Sequence, residues 1–232
     1  MVFFGLGFET TTPMTASAIK HGLTVYSSHK AFVPAMKALL DTPQLKIDGF
    51  INPGHVSAII GSKPYAQFKL PQVIAGFEAN DVLITIYMLL KQIAENRAEV
   101  ENQYVRVVRP EGNPKAMKLI SEVFALGDAY WRGIGKIPNS GFEIRSKYSQ
   151  FDAKIKYKNI LKNCHPELAR LAESKRVEGS GSTNCICGAI LRGLKEPRDC
   201  KLFNKKCTPD NPIGACMVSS EGACGIEAKF QI

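Results

Sequence analysis

Six of the seven cysteines in this 232-residue chain lie between positions 185 and 224: Cys185, Cys187, Cys200, Cys207, Cys216 and Cys224. None precedes Cys164. A buried structural thiol packs as a small hydrophobe and is ordinarily solitary, so six in one short segment need a shared purpose. Disulfides, a tetrahedral zinc site and an iron–sulfur cluster are the candidates. The rest of the chain reads as a cytoplasmic α/β protein with no signal peptide, and a reducing compartment keeps thiols open, so disulfides fit poorly. A zinc ribbon carries two Cys-x-x-Cys knuckles, whereas the tight pair here is Cys185-x-Cys187, and four zinc ligands leave two thiols over. A 4Fe–4S cluster takes four thiolates. Cys185, Cys200, Cys207 and Cys224 can supply them across 14, 6 and 16 intervening residues. Cys187 and Cys216 then remain as a dithiol beside it. A second split makes Cys187 the ligand and frees Cys185, and the spacing serves both. Pro197, Pro209 and Pro212 with Gly188, Gly193, Gly214 and Gly222 make the segment loop-rich, as a ligand-wrapped module requires.

Ahead of the tail, apolar runs alternate with helical patterns. Residues 2–8 read as a fully buried strand, followed by Thr12 as an N-cap and Pro13 in the first helical turn. Further strands are predicted over 23–27, 47–51, 72–77 and 104–108, and helices over 33–40, 81–98 and from Asn113-Pro114 to about 129, with a helical turn after His55. Ile144 and Tyr148 fall in a final irregular stretch. Strand–helix alternation of this kind implies the α/β class: open, doubly wound, mostly parallel sheet or sheets, with a small loop-rich C-terminal iron–sulfur module. The expected division is an α/β region over 1–157, a helix and linker over 158–183, and a cysteine-rich module over 184–232. Within the middle part, 161–175 suits an amphipathic helix carrying Cys164 and His165, and 178–183 a flexible connector.

Ligands in open α/β sheets bind beyond the carboxyl ends of strands. Gly7-Phe8-Glu9 and Gly76-Phe77-Glu78 both close an apolar strand, Gly141-Phe142-Glu143 follows a turn, and His55 ends the 47–51 strand. Glu9, His55 and Glu78 are therefore candidate cleft residues, against the alternative of solvated loop or capping roles. Free N–H groups at the helix start over 10–13 suit a small anion or polar ligand, against simple capping. Gly5-x-Gly7 is no dinucleotide fingerprint, because Thr10 stands where the third glycine belongs. His21 and His29 have no distinguishing neighbours in the sequence, and Cys164-His165 alone is a weak metal signal.

The formal charge of +9 divides as +5 over the first 157 residues and +4 over the rest. It is spread rather than gathered into a stripe and accompanies no nucleic-acid motif, so a solvated surface or attraction to an acidic partner accounts for it. No run of 18 apolar residues is present, which argues against a membrane span.

Several stretches together resemble one family. Gly7-Phe8-Glu9-Thr10-Thr11, Asn52-Pro53-Gly54-His55-Val56-Ser57, the segment from Arg97 to Tyr104, Arg109-Pro110-Glu111-Gly112-Asn113-Pro114, Ile137-Pro138-Asn139-Ser140-Gly141 and the stretch from Cys216 to Cys224 are similar to HypD, the maturation proteins of nickel–iron hydrogenases. The similarity runs through essentially the whole chain. It implies a scaffold and redox protein, rather than a conventional enzyme, for assembling the Fe(CN)2CO group, working with a HypC-type chaperone and a HypE-type cyanide donor. It also implies two doubly wound domains and a C-terminal 4Fe–4S cluster beside redox-active thiols, which the tail cysteines would supply. On this reading Glu9, Thr10, Thr11 and His55 line the ligand cleft and hydrogen-bond cyanide nitrogens, with Glu78 at the neighbouring strand end. The family's Cys-Gly-Thr-His and Cys-Pro-x-Cys motifs, the first of which holds the iron, do not occur in this sequence. The segment over 65–70 also looks shorter than usual for the family. The chain therefore reads as the C-terminal two-thirds of such a protein, with the cluster module intact and the iron scaffold incomplete. A zinc-stabilised interaction module is the alternative.

Overall fold

Parallel strand pairing organises the described residues, which in this computed structural model are 1–131, 133–164 and 184–230. Strand β1 (Phe3–Gly5) pairs with β2 (Val25–Ser27) in the register Phe3 to Val25 and Gly5 to Ser27. The chain leaves β1 through a turn into helix α1 (Thr12–Lys20), whose first turn accepts Pro13 because the N–H that proline lacks would have no intrahelical partner there. The cap is Thr11 rather than Thr12, and Thr12 lies inside the helix, buried with Thr15, Ala16 and Ile19. Helix α2 (Phe32–Leu40) follows β2.

A second parallel sheet has the order β3 (Phe50–Pro53), β4 (Gln72–Ala75), β5 (Val100–Asn102). Its central strand, β4, is buried at every residue, as a strand flanked on both sides should be. Helix α3 (Gly54–Ile60) begins directly at the end of β3, and a side chain at Gly54 would place its Cβ 2.2 Å from the Ala75 carbonyl oxygen. Helix α4 (Ala79–Ala94) follows β4 behind a reciprocal capping box of Glu78 and Asp81. Helix α5 (Pro114–Val123) is capped by Asn113, whose side chain accepts from the Ala116 N–H at 3.1 Å. Strands β6 (Phe124–Trp131) and β7 (Gly135–Ile144) pair with each other. Two short helices, α6 (Ala153–Lys156) and α7 (Lys158–Cys164), come next. The α/β class with parallel sheets is borne out.

Several element expectations need correction. The run over 2–8 is not a fully buried strand: Phe3 is 47% and Phe4 59% exposed, since β1 has β2 as its one strand partner. Residues 104–108 form turns in which the Val107 and Val108 N–H groups donate to the Tyr104 carbonyl, because the strand is spent earlier, at β5. The helix expected to reach 129 stops at Val123. Phe124 takes extended backbone and enters a core with Ile19, Val25, Val123 and Phe142, its ring meeting that of Phe142 edge-on at 6.0 Å. Gly141-Phe142-Glu143 lies inside β7, Ile144 ends that strand and Tyr148 falls in a 3₁₀ helix (Ser146–Phe151), so regular elements occupy the stretch expected to be irregular. The predicted connector over 178–183 and all but the start of the helix over 161–175 lie outside the described residues.

The chain divides into two compact units: Met1–Lys37, Asp48–Gly127 and Asn139–Leu161 form one, and Ala38–Ile47, Asp128–Pro138 and Lys162–Ile232 the other. The cysteine-rich stretch belongs to the second.

Candidate functional site

Three short helices carry three of the thiols: α8 (Cys187–Leu191), α9 (Ala215–Val218) with Cys216, and α10 (Ala223–Phe230) with Cys224. Cys187, Cys207, Cys216 and Cys224 are buried in one core with Ile190 and Met217. Cys200 is also buried and Cys185 is half-buried. Cys187, Cys200, Cys207, Cys216 and Cys224 are free thiols. Glycine permits the approach of the tight pair, since a Cβ at Gly214 would stand 2.7 Å from Cys185 Sγ and 3.2 Å from Cys187 Cβ.

Cys216 stands between two other cysteines. Its backbone N–H donates to Cys187 Sγ at 3.4 Å, and Cys224 Sγ donates to Cys216 Sγ at 3.4 Å. Cys207 Sγ accepts from the Ile213 N–H at 3.3 Å. The side-chain hydrogen bond with Cys216, reinforced by burial, holds the Cys187 thiol far above its ordinary range, and the Cys216 backbone N–H opposes this. Burial pushes the Cys224 thiol up to about 11; its bond to Cys216 opposes this, and the sulfurs of Cys187, Cys200 and Cys207 add to it. Both groups are therefore protonated at neutral pH, and a soft metal that binds them must displace the protons. A cavity of about 410 Å³ adjoins Cys185, with Thr42, Gly133, Gly188 and Arg192 in its lining.

The donor set fits an iron–sulfur cluster in kind and in number, being soft, buried, unpaired sulfur with more than four members. Among the described residues no group of three or more His, Cys, Asp or Glu side chains is already gathered to hold a metal ion. Cys216 meets Cys187 through its backbone N–H and Cys224 through its sulfur, so the structure does not isolate Cys187 and Cys216 as one dithiol.

The cleft residues fall into two places. Glu9 is buried, with Oε1 accepting from the Phe32 N–H at 2.9 Å and Oε2 without a partner, and burial raises its carboxyl above the usual range. Thr10 lies in the turn after it, half-buried, and the Thr11 hydroxyl donates back to the Phe8 carbonyl at 3.3 Å. His55 and Glu78 sit at the carboxyl ends of β3 and β4. The exposed His55 ring stacks on Phe77 at 3.9 Å, and Phe77 meets Tyr104 edge-on. The Glu78 carboxylate lies 3.7 Å from Arg106, which also covers the Tyr104 ring. Among the described residues no hydrogen bond or ion pair joins the Glu9–Thr11 turn to His55 or Glu78.

Two constellations were missed. His29 is buried between Thr15 Oγ1 at 3.2 Å and Ser27 Oγ at 3.3 Å, and burial lowers it to about 4. Alternation along the strand places Val25, Ser27 and position 29 on one face, which was the available signal. Asp81 receives Arg106 through two bonds, at 2.8 and 2.6 Å, and Gln103 at 2.8 Å, which hold its carboxyl well below the ordinary range. Its place in the first turn of a helix was legible, its partner was not.

Parallel βα units joined to a unit whose core is built on free thiols define an α/β protein with a cysteine-lined centre. The family model HypD, described as the hydrogenase formation hypA family, matches residues 1–231, and the chain belongs to that family. It is 46% identical to hydrogenase maturation factor HypD1 of Bradyrhizobium diazoefficiens, over 97% of this chain and 60% of that protein. It is also 46% identical to hydrogenase expression/formation protein HupD of Azotobacter chroococcum, with the same shares. Hydrogenase maturation factor HypD of Cupriavidus necator is 42% identical over 99% of this chain and 62% of its own length. The chain thus spans about 60% of the length of these relatives. The resemblance read from the motifs is borne out.

Proposed function

We propose that this chain acts in hydrogenase maturation as the redox part of a scaffold that assembles the Fe(CN)2CO group. The carrying observation is that five buried free thiols occupy one unit of a chain belonging to the HypD family, with the half-buried Cys185 in the same unit. Cys185, Cys200, Cys207 and Cys224 would hold a 4Fe–4S cluster, and Cys187 with Cys216 would form the neighbouring dithiol. When bound, such a cluster supplies one-electron chemistry. Cys216 adjoins Cys187 through its backbone N–H, which donates to Cys187 Sγ, and joining the two sulfurs in an S–S bond would release two protons and two electrons to the assembling iron centre. The side-chain hydrogen bond with Cys216, together with burial, keeps Cys187 protonated until that step, so the reducing equivalents are not lost to bulk oxidants.

Thr10, Thr11, His55 and Glu78 would present polar groups to the cargo iron and its ligands. The iron-holding motifs of the family are absent from this sequence, so this chain supplies electrons and part of the cleft wall. A HypC-type chaperone and a HypE-type cyanide donor are the partners. No helix among the described residues is long and apolar enough to cross a membrane, in keeping with a cytoplasmic site of action.

Anaerobic purification tests the reading. A brown protein with about four irons is expected. Cys207→Ser should lose the iron, while Cys187→Ser should keep it and lose thiol–disulfide activity. Colourless protein with one zinc overturns the proposal in favour of a structural module.

A further inference from the structure

The first unit contains a second feature that the thiol chemistry leaves unused. A cavity of about 570 Å³ is walled by Val33, Ile60, Met117, Ile120, Phe124 and Phe142 and reaches Glu9. Its size is that of a small-molecule pocket, and its walls are overwhelmingly apolar. Glu9 is only 4% exposed. One carboxyl oxygen is committed to the Phe32 N–H at the start of α2, and the other has no partner. A buried acceptor left unpaired costs on the order of 1–3 kcal/mol, and native structures keep few of them. A lone water is a poor solution here, because it needs two to four polar partners and the surrounding wall is hydrocarbon. Arg145 also lines the cavity, but its Nε already donates to the carbonyls of Ser121 and Phe124.

We propose that this cavity binds a small, uncharged, mostly apolar molecule carrying one N–H or O–H donor, which Glu9 Oε2 accepts. The apolar body fills the wall and the donor satisfies the Glu9 oxygen that the fold leaves without a partner. A cationic amine is disfavoured, because its charge would be stripped of water against hydrocarbon on every side but one.

Indole and benzofuran test this, being alike in shape but differing in whether the ring heteroatom donates or accepts. Titrations of the full chain at pH 8, followed by NMR, should show indole binding at the amides around Phe32, Ile120 and Phe124, about tenfold or more tighter than benzofuran. Because burial raises the Glu9 carboxyl, indole should also weaken as the pH falls toward 5. In Glu9→Gln the Phe32 N–H still requires an oxygen, so the new amide must turn its N–H₂ into the cavity and the preference should invert toward benzofuran. Met117→Trp, which fills the space, should abolish both and carries the test if Glu9→Gln fails to fold. Absence of binding, equal affinity for the two probes, a reversed preference in the native chain, or an unaltered preference in a folded Glu9→Gln variant overturns the proposal.

Discussion

At the scale of single residues, buried polar groups carry the testable consequences. His29 is enclosed by two hydroxyls and held neutral down to about pH 4. The unfolded chain takes up a proton below roughly pH 6.5, whereas the folded chain waits until about 4, so stability is full above the first value and declines as pH falls between the two. The loss amounts to at most about 3 kcal/mol. Urea midpoints measured between pH 7.5 and 4.5 should fall more steeply for the native chain than for His29→Gln; parallel curves would refute the assignment. Residue type decided what was legible at this scale. Cysteine is rare, so six of them advertise a centre wherever they fold. His29 matters only because β1 passes over it with a glycine, where a Cβ at Gly5 would lie 2.5 Å from its ring, and that proximity is a property of strand pairing. Glu9 was legible as a strand-end carboxylate, but its inward turn toward Phe32 depends on where α2 begins.

At the scale of elements, local signals located helices better than strands. Pro13, Asn113 and the Glu78–Asp81 box set helix starts within a residue or two, because caps act over one turn. Strand β5 forms ahead of the strand expected over 104–108, and β6 begins inside the stretch expected to be helical, because pairing with a neighbouring strand overrides the local pattern. Phe124 to Trp131 continues a helical pattern until β7 supplies hydrogen bonds. The junction of α3 with the turn before α5 offers an element-scale prediction. Gly61 has φ +81 and its added Cβ would stand 2.2 Å from the Pro110 carbonyl oxygen; Gly112 has φ +68 and would meet the Ile59 oxygen at 2.3 Å. Gly22 has φ +93, yet its nearest neighbour would be 3.9 Å away. Gly61→Ala should therefore destabilise by about 3 kcal/mol or more, against about 1 kcal/mol for Gly22→Ala, where backbone conformation alone is strained. Thermal denaturation of the two variants checks the ordering, and equal costs would show that the junction yields.

At the scale of the whole molecule, the two units are built on different materials. The first has an ordinary core of Ala16, Ile19, Val25, Ile120, Val123, Phe124 and Phe142. Among the described residues, four of the six buried members of the second unit's core are cysteines, joined by Ile190 and Met217. Small thiol side chains bury little apolar area, and a module with so modest a core ordinarily depends on a metal or a covalent bridge for its stability. Metal binding then becomes folding free energy for that unit alone. Removing iron from anaerobically prepared protein with a chelator should accordingly leave the first unit intact and loosen the second. Hydrogen exchange read peptide by peptide is the measurement: protection should fall by an order of magnitude or more in peptides from 184–230 and hold in those from 12–20, 72–75 and 114–123. Uniform loss across the chain would mean that the metal supports both units, and unchanged protection would mean that the thiol core stands without it.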